Sequence, residues 1–240
     1  CRPQGQLGES TMRVLIFGAS GMVGGGVLRE CLRAPDVEQV VSVGRTALAI
    51  AHAKLIQSVR PNFAIDPSTI LDDELRGVDA CFYCLGVSSS CMTEEQYTAV
   101  TYRLTLLMAE RLANLNPNAT FVYVSGAGAD SSEQGNSMWA RVRGKTENAL
   151  LRLPFKRVHA IRPAVIQPLN NQVSKTDSYR VFYKVLGPLL TVGRKLFPSH
   201  VLSTEVIGQA MLQIARHGAH APVLDAPAIY AVSLSKAELR

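Results

Sequence analysis

Gly18, Gly21 and Gly24 stand at G-x-x-G-x-x-G spacing directly after the apolar run Val14-Leu15-Ile16-Phe17, and residues so placed can cradle a pyrophosphate. Gly18 permits a tight turn, Gly21 lets backbone approach phosphate oxygens, and Gly24 lets a helix lie close to a strand. The free N–H groups of a helix start attract the anion, and Ser20, Met22 and Val23 share that cradle. The glycines differ from the commoner G-x-G-x-x-G, so the surrounding pattern carries the reading. Val14 to Phe17 reads as a strand covered on both faces, and Val23, Val27, Leu28 and Cys31 then repeat at helical spacing.

Other residues extend the site along the chain. A second strand, Val37 to Gly44, ends at Arg45. An acidic side chain there would hold the ribose 2′-hydroxyl of NAD, whereas an arginine suits the 2′-phosphate, so NADP is favoured over NAD. Asn62-Phe63 follows a third strand, Leu55 to Val59, where an amide could hydrogen-bond an adenine edge. Leu85 closes a fourth, Val78 to Leu85, and Gly86 lets backbone lie against the cofactor. Ser125 ends a fifth strand, Thr120 to Ser125, at the edge where open α/β sheets bind ligands. Arg162-Pro163 follows a sixth, Arg157 to Ile161, and Pro163 joins the cofactor set.

The helices that space these strands are legible too. Thr93-Glu94-Glu95-Gln96 is a capping box opening a helix to about Leu115, with Val100, Leu104, Leu107, Met108 and Leu112 on one face and Asn116-Pro117-Asn118 at its end. Asp66 to Leu75 reads as a short helix, Met138 to Leu151 as another, and Val206, Ile207, Ala210, Met211 and Ile214 mark one that stops at Gly218. Together they predict a Rossmann-type, doubly wound α/β fold: a mainly parallel sheet with helices on both faces. The 240 residues suit one domain, 12–240, with 1–11 a polar tail before Met12 and 167–202 a segment capping the substrate. Within it, Tyr179 to Phe197 is apolar with interspersed Arg180, Lys184, Arg194 and Lys195, broken at Gly187-Pro188. An amphipathic membrane-surface segment would fit the composition, but the Gly-Pro break prevents one continuous helix and favours two short helices over a substrate pocket.

With 47% hydrophobic and 18% charged residues the composition is that of a soluble globular protein, and its +6 charge suits phosphorylated ligands. Basic residues are scattered through periodic elements, which argues against nucleic acid, and no apolar run approaches membrane-spanning length. Cys81 and Cys84, three apart on a strand, point to opposite faces and neither pair nor share a metal. The five histidines, His52, His159, His200, His217 and His220, match no zinc spacing. Buried reduced cysteines fit a cytoplasmic protein.

The glycine turn, Ser125 and the helical stretch Arg143-Gly144-Lys145-Thr146-Glu147 resemble the atypical short-chain dehydrogenase/reductases, and within them the NAD-dependent epimerase/dehydratase-like proteins related to the Tat-interacting-protein oxidoreductases. The resemblance runs from about Arg13 to Pro168. It implies NADP binding, a small-molecule substrate, and a serine, tyrosine and lysine as catalytic set; it also allows a homodimer packed through the two long helices. Ser125 takes the serine position, but Trp139 stands at the tyrosine and Arg143 at the lysine position. An indole donates a hydrogen bond without serving as acid or base, and Arg143 can bind ribose hydroxyls without titrating. Lys145, two residues on, is rotated by roughly 200° and faces away if Arg143 faces the cofactor. Arg141, Lys145 and Arg152 read as a solvated stripe. Tyr97, Tyr102 and Tyr123 are other candidate acids that the sequence does not place. The expected function is an NADP-dependent oxidoreductase acting on a small carbonyl or hydroxyl; the alternative is an NADP-binding redox sensor that has lost the Tyr/Lys pair.

Overall fold

The computed structural model describes residues 11–167 and 197–235. The expected tail, apart from Thr11, and most of the expected capping segment, including Tyr179 to Leu196, lie outside the described residues. Thr11 is already anchored, its hydroxyl donating to Glu38 at 2.9 Å.

Strand β1 (Met12–Phe17) lies inside a seven-stranded parallel sheet with β2 (Val37–Gly44), β3 (Leu55–Val59), β4 (Ala80–Tyr83), β5 (Thr120–Val124), β6 (Arg157–Arg162) and β9 (Val223–Asp225). The order is β3-β2-β1-β4-β5-β6-β9, so the winding reverses between β1 and β4. A parallel pair, β7 (Val165–Gln167) and β8 (Val201–Ser203), forms a separate small sheet. The helices are α1 (Met22–Arg33), α2 (Asp72–Leu75), α3 (Glu94–Thr98), α4 (Leu104–Leu115), α5 (Met138–Leu150), α6 (Thr204–His217) and α7 (Ala226–Leu234). Among the described residues none is long and apolar enough to cross a membrane.

Alternation along β1 builds both cores. Val14 and Ile16 face α1 and α6, packing with Val27, Cys31, Ile207 and Met211. Leu15 and Phe17 face the other layer, with Met108, Leu112, Phe121 and Tyr123. Every one of these side chains is at most 2% exposed, which is why the strand reads as a continuous apolar run. Cys81 lies in the second core and Cys84 packs against the first, on opposite faces as their spacing requires.

Three helical expectations are corrected. The long helix is interrupted by a π turn over Ala99–Arg103, where the Leu104 N–H reaches back to the Ala99 carbonyl. Leu107, expected on its buried face, is exposed, and burial passes instead through Tyr97, Thr101, Leu104, Thr105 and Met108. Asp66 to Leu75 is not one helix: Asp66 caps a 3₁₀ turn at Pro67–Thr69, accepting from Ser68 N at 3.1 Å, and Glu74 then starts α2 by accepting from Leu71 N at 2.9 Å. Local side-chain bonds of this kind compete with a continuous helix.

Candidate functional site

β1 delivers the glycine turn to the carboxyl edge of the sheet. Phe17 is in register with Val43 and Tyr83, and its carbonyl accepts from Cys84 N at 2.9 Å, so the exits of β1 and β4 lie side by side. Gly18 has φ +81°, and a Cβ on it would stand 2.8 Å from the Cys84 carbonyl oxygen. A Cβ on Gly24 would meet the Gly18 oxygen at 2.2 Å, so the third glycine is what lets α1 lie beneath the turn. Gly21 caps α1 with no side-chain hydrogen bond, and the first turn holds no acidic residue. The leading N–H groups are therefore spent on no cap, and the helix dipole is unopposed there, which are the conditions for holding an anion.

From this turn a cavity of about 710 Å³ opens along the edges of β1, β4, β5 and β6. Gly21, Met22 and Val23 border it at one end, with Leu85 and Gly86 after β4, Ser125 after β5, Trp139 and Arg143 from α5, and Pro163 after β6. Ser20, with Gly21, borders a second cavity of about 630 Å³ between α1 and residues 48–52. Three expected residues lie elsewhere. Phe63 is 1% exposed and packs on Phe17 with ring centroids 6.3 Å apart, so it belongs to the core, which its place in a turn had concealed. Asn62 and Arg45 are exposed and border neither cavity.

Trp139, Arg143 and Glu147 recur every fourth residue and so share one face of α5. Gly144 lets that helix approach residues 126–131: a Cβ there would lie 1.7 Å from the Asp130 carbonyl oxygen. Arg143 Nε donates to Tyr97 Oη at 3.0 Å and Nη1 to the Val124 carbonyl at 3.4 Å. Burial works against its charge, but the Tyr123 and Tyr97 phenols and the Glu147 carboxylate more than offset this, so the guanidinium is held charged above its usual range.

The serine is tied to α5. Ser125 Oγ donates to Glu147, which is fully buried and clamped by Arg162: Nε lies 3.1 Å from each carboxylate oxygen and Nη2 2.5 Å from Oε2. With its proton committed to a carboxylate, Ser125 presents lone pairs to the cavity. The Ser125 oxygen is left free to accept a hydrogen bond there. Neither Glu147 nor Arg162 was assigned this role from the sequence. The signal for Glu147 was its four-residue spacing from Arg143; Arg162 carried none beyond following a strand.

Of the three unplaced tyrosines, Tyr97 borders the cavity. Tyr123 is core, its phenol pushed up to about 12 by burial despite Arg143. Tyr102 lies under Lys145, whose Nζ sits 4.9 Å from the ring centroid. Lys145 is exposed and faces away from Arg143's side of the helix, as its rotation requires, and Arg141 is bound to Glu94 at 2.7 Å.

No protein-family model matches the chain. Over 228 residues, 94% of this chain and 96% of the relative, it is 25% identical to the mitochondrial protein FMP52 of Debaryomyces hansenii. It is 29% identical to HTATIP2 of Rattus norvegicus over 156 residues, 64% of this chain and 62% of that one. In fold it is similar to a short chain dehydrogenase family protein from Francisella tularensis, with TM-score 0.66 and 14% identity, covering 92% of this chain and 99% of that one. Other structures of this fold, at 13–16% identity, hold NAD. The mitochondrial naming of the FMP52 relatives overturns the cytoplasmic placement expected from the cysteines, because reduced buried thiols do not distinguish between reducing compartments.

Proposed function

We propose that this distant homologue of FMP52 and HTATIP2, with the fold of the short-chain dehydrogenase/reductases, binds NADP(H) along the carboxyl edge of its sheet and acts as an oxidoreductase on a small carbonyl or hydroxyl substrate. The observation that carries the reading is one cavity joining the uncapped start of α1 to Ser125, Trp139 and Arg143. The residues fit such a cofactor. The N–H groups of Met22 and Val23 would hold the pyrophosphate, Leu85, Gly86 and Pro163 would flank the nicotinamide half, and Arg143 would reach ribose hydroxyls. When bound, the dinucleotide supplies or accepts a hydride. Ser125 accepts from a substrate hydroxyl while its own hydroxyl stays donated to the Glu147 carboxylate, and Arg143 sets a positive potential in the cavity.

The choice of NADP rests on the sequence position of Arg45, which borders neither cavity but is the charged side chain directly after β2, with no carboxylate in its place. Calorimetric titration tests this: NADPH should bind about tenfold more tightly than NADH, a preference of about 1.4 kcal/mol, and Arg45→Ala should erase it. Equal affinities in the native chain would refute the NADP assignment, and absence of binding to either would refute the cofactor site. Trp139 in the tyrosine position favours a second reading, a redox sensor without turnover. That reading predicts that NADPH and NADP⁺ differ at least about tenfold in affinity while no carbonyl is reduced.

A further inference from the structure

We propose that Tyr97, on α3, is the proton-transferring residue of this cavity, taking over the step that the indole of Trp139 on α5 cannot perform. The inference rests on the oxidoreductase reading and adds the residue that moves the proton. A phenol exchanges a proton with a reacting oxygen; an indole N–H near neutral pH does not. The ring of Tyr97 is fixed in the protein, 1% exposed, yet the residue borders the cavity together with Ser125, Trp139 and Arg143. Tyr102 and Tyr123 do not border it.

Local structure holds Tyr97 there. Thr93 Oγ1 accepts from Gln96 N at 3.3 Å and Gln96 Oε1 from Thr93 N at 3.0 Å, fixing the start of α3, and the π turn begins two residues after Tyr97. Such turns often accompany functional positions because they offset one helix segment against the next. Tyr97 Oη accepts the Arg143 Nε–H at 3.0 Å, and among the described residues no group accepts the Tyr97 O–H proton. The phenol therefore has a proton to give and a fixed cation beside the oxygen that would carry the resulting charge, an arrangement that stabilises a developing phenolate. Arg143 acts here as a positioning residue.

In the direction of reduction, the Tyr97 Oη–H bond breaks as an O–H bond forms on the substrate's carbonyl oxygen. The electron pair stays on Oη beside Arg143, and bulk solvent returns the proton. A bound reduced nicotinamide would supply the hydride to the carbonyl carbon, so that overall one carbonyl would become an alcohol, one dihydronicotinamide would be oxidised, and one solvent proton would be consumed.

The test uses the full chain, NADPH, and a fixed panel of aldehydes, ketones and α-diketones. Trp139 is the single tryptophan of the chain and borders the cavity, so quenching of its emission reads NADPH affinity independently of turnover. Tyr97→Phe should keep NADPH affinity within about twofold and lose turnover about 100-fold, the usual scale of general acid catalysis. Tyr97→His, which restores a proton-transferring group, should recover part of the loss. Turnover of Tyr97→Phe within threefold of the native chain overturns the proton role and leaves the oxidoreductase reading standing. A native chain that binds NADPH and reduces no member of the panel overturns both. Joint loss of quenching and turnover in both variants assigns Tyr97 to packing and overturns the role as well.

Discussion

At the scale of single residues, Glu147 decides more than any side chain that contacts the cavity directly. A fully buried carboxylate is tolerable only because Arg162 and Ser125 satisfy its oxygens, and removing the charge strands the Arg162 guanidinium. Glu147→Gln should therefore destabilise the fold by about 3 kcal/mol in urea unfolding, and a loss below about 1 kcal/mol would show that the pair is replaceable. The same bond fixes which way Ser125 can serve a substrate. Ser125 itself was legible, because its place at the end of an apolar strand is a pattern in sequence; its partner was not, because the pairing spans 22 residues and depends on the angle at which α5 crosses β5. Trp139 and Arg143 were legible as departures from an expected pair, whereas Tyr97 was a name without a place. Its contribution depends on α3 packing against α5 across 46 residues of chain, which periodicity does not encode.

At the scale of elements, the strands covered on both faces announce themselves as apolar runs, and β2 and β3 begin and end where the sequence places them. The three-residue strands β7, β8 and β9 do not, because a segment that short has too little alternation to register. Nor does the π turn, since its residues fit an ordinary helix equally well. The ends of elements are tied by polar groups. Buried Asn116, at the end of α4, accepts from Val78 N at 3.0 Å and donates to the Leu75 carbonyl at 2.7 Å, joining that helix to the segment entering β4. Asp36, ahead of β2, takes two bonds from Arg216 on α6 at 2.6 and 2.7 Å. The hydrogen bond from Arg216, opposed in part by desolvation, lowers the Asp36 carboxyl below its ordinary 3.8. A carboxyl lowered on folding binds its proton later in the folded chain than in the unfolded one. Its contribution is thus complete above pH 3.8 and lost as the pH falls towards the folded value. Asp36→Asn should cost about 1 kcal/mol at neutral pH and flatten stability against pH below 4. An unchanged acid limb in the variant would contradict this assignment.

At the scale of the whole molecule, the reversal of winding between β1 and β4 opens a crevice at the carboxyl edge, and the glycine turn, Gly86 and Ser125 all emerge along it. The glycine turn, Gly86 and Ser125 were readable because each follows or closes an apolar run in the sequence. The residues expected near an adenine edge were less readable, and Phe63 illustrates the limit: this turn residue beside Asn62 is core, because turns also return side chains to the interior. The most direct test of a dinucleotide in this cavity is titration of the native chain with NADPH while following the emission of Trp139. Bound as proposed, the dihydronicotinamide lies within energy-transfer reach of the indole, and saturable quenching should appear with the affinity that calorimetry gives. Calorimetric binding without any change in Trp139 emission, or no binding at all, would contradict the account.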